Sequence, residues 1–495
     1  GIGIQRGDRL LLMIRPGIEF VALAFATLKL GAIAVLIDPG IGMNHLKKCI
    51  RDVKPDGFIG VPEAHLLRWI WPSSFKTVKH FFIVEEEGIF KKILAALLKG
   101  SKLSSFKERN DPFSIAELSP NDPAAIIFTT GSTGPPKGVV YEHRMFAAQI
   151  EMLRSTFNIR EGEIDMPTFP LFALFSAAIG TSCVIPDMDP THPANVDPRK
   201  IVEAIEDHKV TYTFGSPALW NRVTLYCLEK NIQFPTVKRI LIAGAPVPPA
   251  LLERFQKILS PDAEVYTPYG ATEALPVTCI GSREIVAETA ALTRQGKGIC
   301  VGRPLSSVDL RIIIIRDKPI PVWEKGLELA PNTIGEIVVK GPMVTQCYDQ
   351  NEKETALAKI RDRDGSFWHR MGDVGYLDSV GRLWFCGRKA HRVVTPKKTY
   401  FSIPCESMFN QHPAVFRSAL VGVNQKPVIV IEPLDKKTVD NPTKKERLRE
   451  ELLTLAILHP LTREIRDILF HAQFPVDIRH NSKIIREKLA VWAMG

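Results

Sequence analysis

Residues 1–60 alternate between short apolar runs and amphipathic segments, and this alternation constrains the fold more than any other feature. The runs DRLLLMI, AIAVLID and GFIGV are typical of strands, and the segments from about 18 and around 43–53 are typical of helices. Further units of helix and strand follow at 197–214 and 238–257. Strands that alternate with helices form parallel sheets with helices on their faces, so the sequence predicts an α/β fold.

Composition excludes several classes of protein. The chain has 495 residues, 45% hydrophobic and 24% charged, which predicts a globular protein of two or three domains. Its net charge of +10 is scattered, so we expect no nucleic-acid partner. The eight cysteines include no C-x-x-C pair, which argues against a zinc site and a disulfide framework and predicts a cytoplasmic protein. The apolar stretches 20–37 and 169–186 contain charges, glycine or prolines, so neither is predicted to span a membrane.

The character of the chain changes twice after the α/β units. Residues 296–342 contain short β-rich runs that predict a small β-barrel or an antiparallel sheet, and 376–388 predicts a hairpin with its turn at 379–381. A smaller α+β unit follows. We therefore predict a large N-terminal domain, residues 1–387, made of two parallel-type α/β subdomains plus the small barrel. A C-terminal domain, residues 388–495, completes the chain.

The segment 87–107, EGIFKKILAALLKGSKLSSFK, predicts a basic amphipathic helix. Such a helix is compatible with two roles. It can cover the surface of its own domain, or it can dock on a membrane surface or on another enzyme of a pathway.

The stretch TTGSTGPPKGVV, residues 129–140, follows the apolar run AAIIF and combines hydroxyls, glycines and one lysine. Backbone amides exposed by glycine, together with hydroxyls and an ammonium group, can hold phosphate oxygens. The Walker motif does not fit, because Pro136-Lys137-Gly138 stands where Gly-Lys-Ser/Thr is required. Taken alone, the stretch is also compatible with a polar surface turn.

FTTGSTGPPKGVV resembles the phosphate loop of the adenylate-forming superfamily, which includes acyl-CoA synthetases, luciferases and non-ribosomal peptide adenylation domains. The resemblance continues in family order through AGAP at 243–246, YGATE at 269–273, GDVGYLD at 372–378, GR at 387–388 and Lys483. It implies an ATP- and Mg²⁺-dependent ligase whose C-terminal domain is mobile. It also implies that the family's first few dozen residues are missing before Gly1, so that this copy is truncated relative to the family.

The resemblance assigns roles residue by residue. Glu273 would bind Mg²⁺, Thr272 would contact the α-phosphate, and Lys483 would bridge the substrate carboxylate and that phosphate. Tyr269 and Gly270 belong to the YGATE motif, in which Tyr269 would stack on adenine. The residues implied to hold the β- and γ-phosphates of ATP are Thr129, Thr130, Gly131, Ser132, Thr133, Gly134 and Lys137. The residues implied to border the adenine and hold the ribose are Gly244, Ala245, Pro246, Asp373 and Arg388.

Two departures from the family pattern concern transfer of the acyl group to a thiol. Ala390 stands where relatives have a hinge Asp or Lys, and Pro396-Lys397-Lys398 stands where they have Gly-Gly-Glu. Proline removes a donor and lysine adds bulk where glycine admits a pantetheine arm. Neutral drift in a loop also explains them. The gate PLFH of many acyl-CoA synthetases reads PLFA here, ending at Ala173.

The segments PLFALF, DPTHPANVDPRKI, GRKAHRV and FHAQFPVDIRHNSKIIREKLAVWA resemble the β-lactone synthetases of bacterial long-chain olefin biosynthesis. This resemblance implies adenylation of a 2-alkyl-3-hydroxy fatty acid, whose own hydroxyl then displaces AMP. His391 or His480 could serve as a base, although a lone histidine is more often structural. The alternatives are a long- or medium-chain fatty acid–CoA ligase, a non-catalytic nucleotide- or acyl-binding protein, and a membrane scaffold. The sequence gives no oligomeric state.

Overall fold

The computed structural model describes residues 3–106, 115–129, 134–476 and 484–495. Its architecture consists of mixed α/β sheets, which agrees with the predicted class.

The first sheet has seven strands in the order β5-β4-β3-β1-β2-β6-β7. All neighbouring pairs are parallel except β6 and β7, which form an antiparallel hairpin. Its strands are β1 (Arg9–Met13), β2 (Ile33–Leu36), β3 (Gly57–Gly60), β4 (His80–Ile83), β5 (Ser101–Lys102), β6 (Pro123–Thr129) and β7 (Lys137–Glu142). The helices of this region are α1 (Ile18–Lys29), α2 (Met43–Val53), α3 (Pro62–His65), α4 (Leu67–Ile70) and α5 (Ile89–Leu97).

The second sheet has twelve strands and continues from a parallel half into an antiparallel half. The parallel half is β8 (Ile164–Pro167), β9 (Ser182–Cys183), β10 (Tyr212–Gly215), β11 (Arg239–Ile242) and β12 (Glu264–Ala271). The antiparallel half is β13 (Ala274–Gly281), β14 (Ile299–Pro304), β15 (Asp309–Ile313), β16 (Gly335–Lys340), β17 (Lys359–Arg361), β18 (Phe367–Leu377) and β19 (Leu383–Arg388). The helices are α6 (His143–Thr156), α7 (Ala173–Ile179), α8 (Pro198–His208), α9 (Pro217–Lys230), α10 (Pro249–Ile258), α11 (Ser282–Glu284), α12 (Ala290–Arg294) and α13 (Glu352–Ala358), with a π-helix at Ile285–Thr289.

The C-terminal region has its own small sheets and its own core. Its elements are β20 (Val393–Val394), β21 (Thr399–Tyr400), α14 (Ser402–Phe409), β22 (Val415–Val423), β23 (Lys426–Pro433), α15 (Pro442–Ile457), β24 (Asp467–Phe470) and α16 (Arg486–Trp492). Helices α14 and α15 pack on the sheet β22-β23-β24 through a cluster that includes Phe409, Leu452 and Ile429. This separate core is what a distinct C-terminal unit requires.

The helix boundaries follow local chemistry. The Asp197 carboxylate accepts a hydrogen bond from the Arg199 amide at the start of α8, where Pro198 occupies the first helical position. Ile201, Val202 and Ile205 then face the core, as their helical spacing requires. Helix α9 begins in the same way, with Ser216 as its N-cap and Pro217 at the first helical position.

Two predictions are corrected. The helix predicted over 87–107 is only Ile89–Leu97, because the chain then turns extended and pairs in parallel with β4 through Ser101. Gly100 permits this approach, since a Cβ there would lie 3.0 Å from the Phe81 carbonyl oxygen. The β-rich residues 296–342 extend the second sheet, since β13 pairs with both β12 and β14. Of the two predictions for residues 296–342, an antiparallel sheet therefore describes the strands better than a separate small barrel.

Helix α5 leaves one apolar stripe exposed. Ile89, Ile93 and Leu97 recur every four residues and are 81%, 54% and 70% exposed, whereas Leu94 and Ala95 pack inward. Within the described residues, no helix combines the length and the apolar character needed to cross a membrane.

Candidate active site

One cavity of about 1990 Å³ lies against both large sheets and the C-terminal region, and it gathers most of the predicted site residues. Ile484, which follows Lys483 in the chain, lines it, whereas Lys483 itself lies outside the described residues. The predicted residues that line the cavity are Thr129, Lys137, Gly244, Ala245, Pro246, Tyr269, Gly270, Thr272, Glu273, Asp373 and Arg388.

The predicted phosphate loop connects β6 to β7. Thr129 at the end of β6 pairs with Lys137 at the start of β7, so the antiparallel hairpin brings both residues to the cavity wall. Gly134 is exposed and does not line the cavity. The predicted residues Thr130, Gly131, Ser132 and Thr133 lie outside the described residues.

Tyr269, Asp373 and Arg388 form one unit, joined by a hydrogen bond and an ion pair. Asp373 on β18 is paired in register with Arg388 on β19, whose Nη1 lies 2.9 Å from Asp373 Oδ1. The Tyr269 hydroxyl donates to Asp373 Oδ2 at 2.5 Å. Burial raises the pKa of Asp373, and the Arg388 charge opposes that rise. Burial and the neighbouring Asp373 also raise the pKa of Tyr269, which keeps its phenol protonated as a donor.

The hairpin between β12 and β13 presents Thr272 and Glu273. The Tyr141 hydroxyl donates to the Thr272 carbonyl at 2.5 Å, and the Thr345 amide donates to the Glu273 carbonyl at 3.0 Å. The Glu273 carboxylate accepts a hydrogen bond of 2.7 Å from the hydroxyl of Tyr348. Both residues are therefore held in place by Tyr141 on β7 and by Thr345 and Tyr348 in the segment after β16.

A second pair of opposite charges lies beside this hairpin. Lys137 Nζ forms an ion pair with the Glu354 carboxylate and lies 5.2 Å from the centre of the Tyr348 ring. Lys359 lies behind them, 5% exposed, and donates to the Thr345 carbonyl and hydroxyl. Burial lowers the pKa of Lys359 to about 7, so this ammonium group is only partly charged at neutral pH. We call the cavity wall formed by Lys137, Tyr269, Thr272, Glu273, Asp373 and Arg388 the polar end.

Another part of the cavity wall, which we call the aromatic end, includes Phe146, Phe172, Phe175 and Phe214 together with Asp165. The Phe172 and Phe214 rings lie 4.2 Å apart between centroids, and Phe172 also contacts Phe175. Ala173, the residue in place of the predicted gate histidine, is 1% exposed.

Asp165 is the ionisable group of the aromatic end. It is 4% exposed, its Oδ2 accepts a hydrogen bond of 2.6 Å from the Ser176 hydroxyl, and its Oδ1 makes no hydrogen bond of good geometry. Burial raises the pKa of this carboxyl to about 7. The aromatic end therefore carries little negative charge below neutral pH.

Sequence reasoning missed the side chains that support the predicted ones. Tyr348 lies in the irregular segment after β16 and Glu354 lies on the short helix α13. Neither carries a family motif, yet they contact Glu273 and Lys137. Asp165 lies only a few residues before the PLFA run. The one sequence feature that could have indicated a buried acid was its position as a lone carboxyl group in the apolar segment IDMP.

Comparison with known proteins identifies the family. Residues 1–349 match the model of the AMP-binding enzyme family. The chain is 45% identical to the olefin beta-lactone synthetase of Stenotrophomonas maltophilia over 100% of this chain and 88% of that protein. The amide bond synthetase McbA from Marinactinospora thermotolerans superposes with a TM-score of 0.79 at 21% identity, covering 99% of this chain and 91% of McbA. ATP-bound MatB from Rhodopseudomonas palustris superposes with a TM-score of 0.74 at 20% identity, covering 99% and 90%. The chain therefore belongs to the AMP-binding, adenylate-forming enzyme family.

Proposed function

We propose that this enzyme uses ATP to adenylate a 2-alkyl-3-hydroxy fatty acid and then closes the acyl adenylate to a β-lactone with release of AMP. The observation that carries the proposal is a single cavity with a polar end and an aromatic end. A nucleotide and a fatty acid must meet in one such space. The volume of about 1990 Å³ exceeds the roughly 300–1,000 Å³ of an ordinary small-molecule pocket, which suits two ligands held together. Similarity to the olefin beta-lactone synthetase over the full chain supports the choice of acid.

The polar end is suited to a nucleoside phosphate. Asp373 presents a buried carboxylate to the ribose hydroxyls, and Arg388 holds it in place. The Tyr269 ring and the backbone of Gly244–Pro246 line the same wall, where adenine would lie. Lys137 would supply the positive charge for the terminal phosphates, and Thr129 and the loop residues Thr130–Thr133 would supply hydroxyl and amide donors.

Glu273 fits the way proteins bind Mg²⁺ in phosphoryl chemistry, which is through one or two carboxylates together with substrate phosphates. Its carboxylate lies at the cavity wall, held by the Tyr348 hydroxyl. Within the described residues, no cluster of three or more His, Cys, Asp and Glu side chains offers a metal site made of protein alone. Bound there, Mg²⁺ would neutralise phosphate charge. Thr272 and Lys483 would orient the reacting carboxylate towards the α-phosphate, where like charges would otherwise repel.

Lactone formation needs no second acceptor, because the nucleophile is part of the substrate and has a high effective concentration. A reaction without a thiol acceptor agrees with the loop Pro396-Lys397-Lys398, which stands where relatives have the Gly-Gly-Glu that admits a pantetheine arm. Thr395 and Lys398 close a tight turn between β20 and β21, with the Thr395 amide donating to the Lys398 carbonyl at 3.0 Å. Pro396 and Lys397 protrude from this turn into solvent. We propose that residues 388–495 form the C-terminal lid domain on residues 1–387.

The test is to incubate the protein with ATP and Mg²⁺ and with one of two acids. One is a 2-alkyl-3-hydroxy fatty acid, and the other is the same acid without its hydroxyl. Each reaction is run with and without coenzyme A. We expect pyrophosphate release with both acids, and a β-lactone, identified by mass spectrometry, from the hydroxy acid alone and without any thiol. Conversion of both acids to thioesters, dependent on coenzyme A, would instead establish a fatty acid–CoA ligase. No pyrophosphate with either acid would support a non-catalytic binding protein.

A further inference from the structure

The short 3-10 helix Lys389–His391 connects β19 to the C-terminal unit and contains a histidine that faces the cavity. His391 lines the cavity, and its side chain is 7% exposed. It lies three residues after Arg388, so it belongs to the side of the cavity at which the Asp373–Arg388 pair lies. Ile484, Ile485 and Arg486 line the cavity as well.

Ion pairs on both sides of His391 fasten this turn to the large domain. Lys389 Nζ lies 2.8 Å from Glu336 Oε1, a carboxylate that is fully buried on β16. Arg392 Nη2 lies 2.6 Å from Asp317 Oδ2 and also donates to the Lys389 carbonyl at 2.7 Å through Nη1. These ion pairs fix the backbone of the turn that carries the imidazole, and a fixed position is a requirement for precise proton transfer.

The two ring nitrogens of His391 have different environments. Nε2 lies 3.2 Å from Oε1 of Glu487 on α16, whereas Nδ1 is buried and has no hydrogen-bond partner. An ionised carboxylate accepts hydrogen bonds and cannot donate them, so Glu487 selects the tautomer that carries its hydrogen on Nε2. The Nδ1 lone pair is then left without a partner, in a residue of the cavity wall.

The charges around His391 keep it neutral before substrate binds. Burial and the positive charge of Arg486 lower its pKa to about 4, with a smaller opposing effect from Glu487. Arg388 also lowers the pKa, so two guanidinium groups and one carboxylate face the ring. A neutral imidazole can accept a proton, and the phosphate of a bound acyl adenylate would raise its basicity by adding a negative charge.

We propose that His391 is the general base of ring closure and that Glu487 is its positioning residue. This proposal rests on the proposed function. The oxygen of the substrate's 3-hydroxyl attacks the acyl carbonyl carbon, and its proton passes to His391 Nδ1. The bond between that carbon and the phosphate oxygen breaks, AMP leaves with the bonding electrons, and the proton then passes to solvent.

Asp165, the other buried base of the cavity, is less suitable. Its Oδ2 is already bonded to Ser176, and it lies on β8 at the level of Tyr212, two residues before the carboxyl end of that strand. The part of the substrate that reaches Asp165 would be an alkyl chain in the aromatic end. The 3-hydroxyl lies close to the reacting carboxyl group and therefore away from Asp165. His480, the second histidine considered from the sequence, lies outside the described residues.

The test separates adenylation from ring closure in His391→Ala and His391→Asn. Adenylation is measured as ATP–pyrophosphate exchange driven by a 2-alkyl-3-hydroxy acid, and closure is measured as β-lactone formed in a single turnover. General-base catalysis typically contributes about 10²–10⁴-fold, so we expect lactone formation to fall at least 10²-fold while exchange falls far less. Acyl adenylate should accumulate on the variants, and added imidazole should restore part of the lactone formation in His391→Ala.

His412→Ala is the matched control, because His412 pairs with Glu451 at the same 3.2 Å but does not line the cavity. It should retain both activities. Glu487→Gln changes a half-exposed side chain, so it should fold, and we expect about a tenfold loss in ring closure alone. Equal losses of exchange and closure in the His391 variants would overturn the assignment. If the unchanged enzyme itself makes no lactone, the proposed function fails instead.

Discussion

The two ends of the cavity prepare for their ligands in opposite ways. At the polar end, Asp373 is paired with Arg388, Glu273 with Tyr348 and Lys137 with Glu354 before any ligand is present. At the aromatic end, the wall consists of phenylalanine rings with one buried carboxyl group, Asp165. One end is organised by directional bonds, and the other is organised by packed apolar area.

This difference determines which substitutions each end tolerates. A hydrogen bond to a charged group depends on distances of about 2.7–2.9 Å, so the polar end requires particular residues at particular positions. Apolar burial contributes roughly 25 cal/mol per Å² without regard to direction, so several residues can serve equally well at the aromatic end. We expect substitutions at the polar end to act on catalysis and those at the aromatic end to act on substrate range and stability.

The largest effect is expected from Glu273→Gln. The amide oxygen can still accept the Tyr348 hydrogen bond, so the hairpin should keep its position while the charge offered to Mg²⁺ is lost. Removing one electrostatic contact to a reacting group typically costs about 10²–10³-fold, and we expect ATP–pyrophosphate exchange to fall by that amount. The measurement is exchange as a function of Mg²⁺ concentration, which should also reveal weaker apparent binding of the metal. An unchanged Mg²⁺ dependence would remove Glu273 from the metal site.

A second prediction concerns the charge of the aromatic end. The pKa of Asp165 is raised from 3.8 to about 7 by burial, so the folded protein binds a proton that the unfolded chain loses near pH 4. The stability this provides is present below pH 4 and is lost as pH rises to about 7. Asp165→Asn does not titrate. Its unfolding free energy relative to the unchanged protein should therefore rise by up to about 3 kcal/mol between pH 5 and pH 8, at about 1.4 kcal/mol per pKa unit.

The measurement is urea unfolding of both proteins at several pH values. Asp262→Asn, at an exposed turn before β12, is the matched control and should show no such trend. A stability difference for Asp165→Asn that does not vary with pH would mean that the carboxyl is ionised throughout. The contrast between a charged and an uncharged end of the cavity would then be wrong.

The parts of the fold that depend on local pattern could be predicted from the sequence, and the parts that depend on long-range pairing could not. Helix α8 begins where Asp197 and Pro198 predict it, because both act within one turn. The helix predicted over 87–107 was too long, because Ser101 and Lys102 pair with β4, and no local signal reports that pairing. The strands after residue 296 join the second sheet for the same reason.

The candidate site divides in the same way. Motifs identified Tyr269, Asp373 and Arg388, and the structure joins Asp373 to Tyr269 by a hydrogen bond and to Arg388 by an ion pair. Glu354 could not be found, because it lies 217 positions from Lys137 in the chain and meets it only through the fold. Lys137 is recognisable from the loop that it follows, whereas its ion-pair partner depends on how β7 and α13 come together.

The smallest effect is expected from Glu354→Gln. In the structure, Lys137 is bound to Glu354, so a phosphate group must replace that carboxylate before the lysine can act. Both side chains are more than a quarter exposed, and ion pairs of this kind typically contribute about 0.2–1 kcal/mol. Glu354→Gln should therefore lower the KM for ATP by about two- to fivefold and leave kcat nearly unchanged. Lys137→Met, measured in parallel, should raise that KM, and the double variant should resemble Lys137→Met, because Glu354 acts on ATP only through the lysine. A further rise in KM in Glu354→Gln would mean that the carboxylate itself helps to hold the nucleotide, and the polar end would then be organised by its ligand rather than before it.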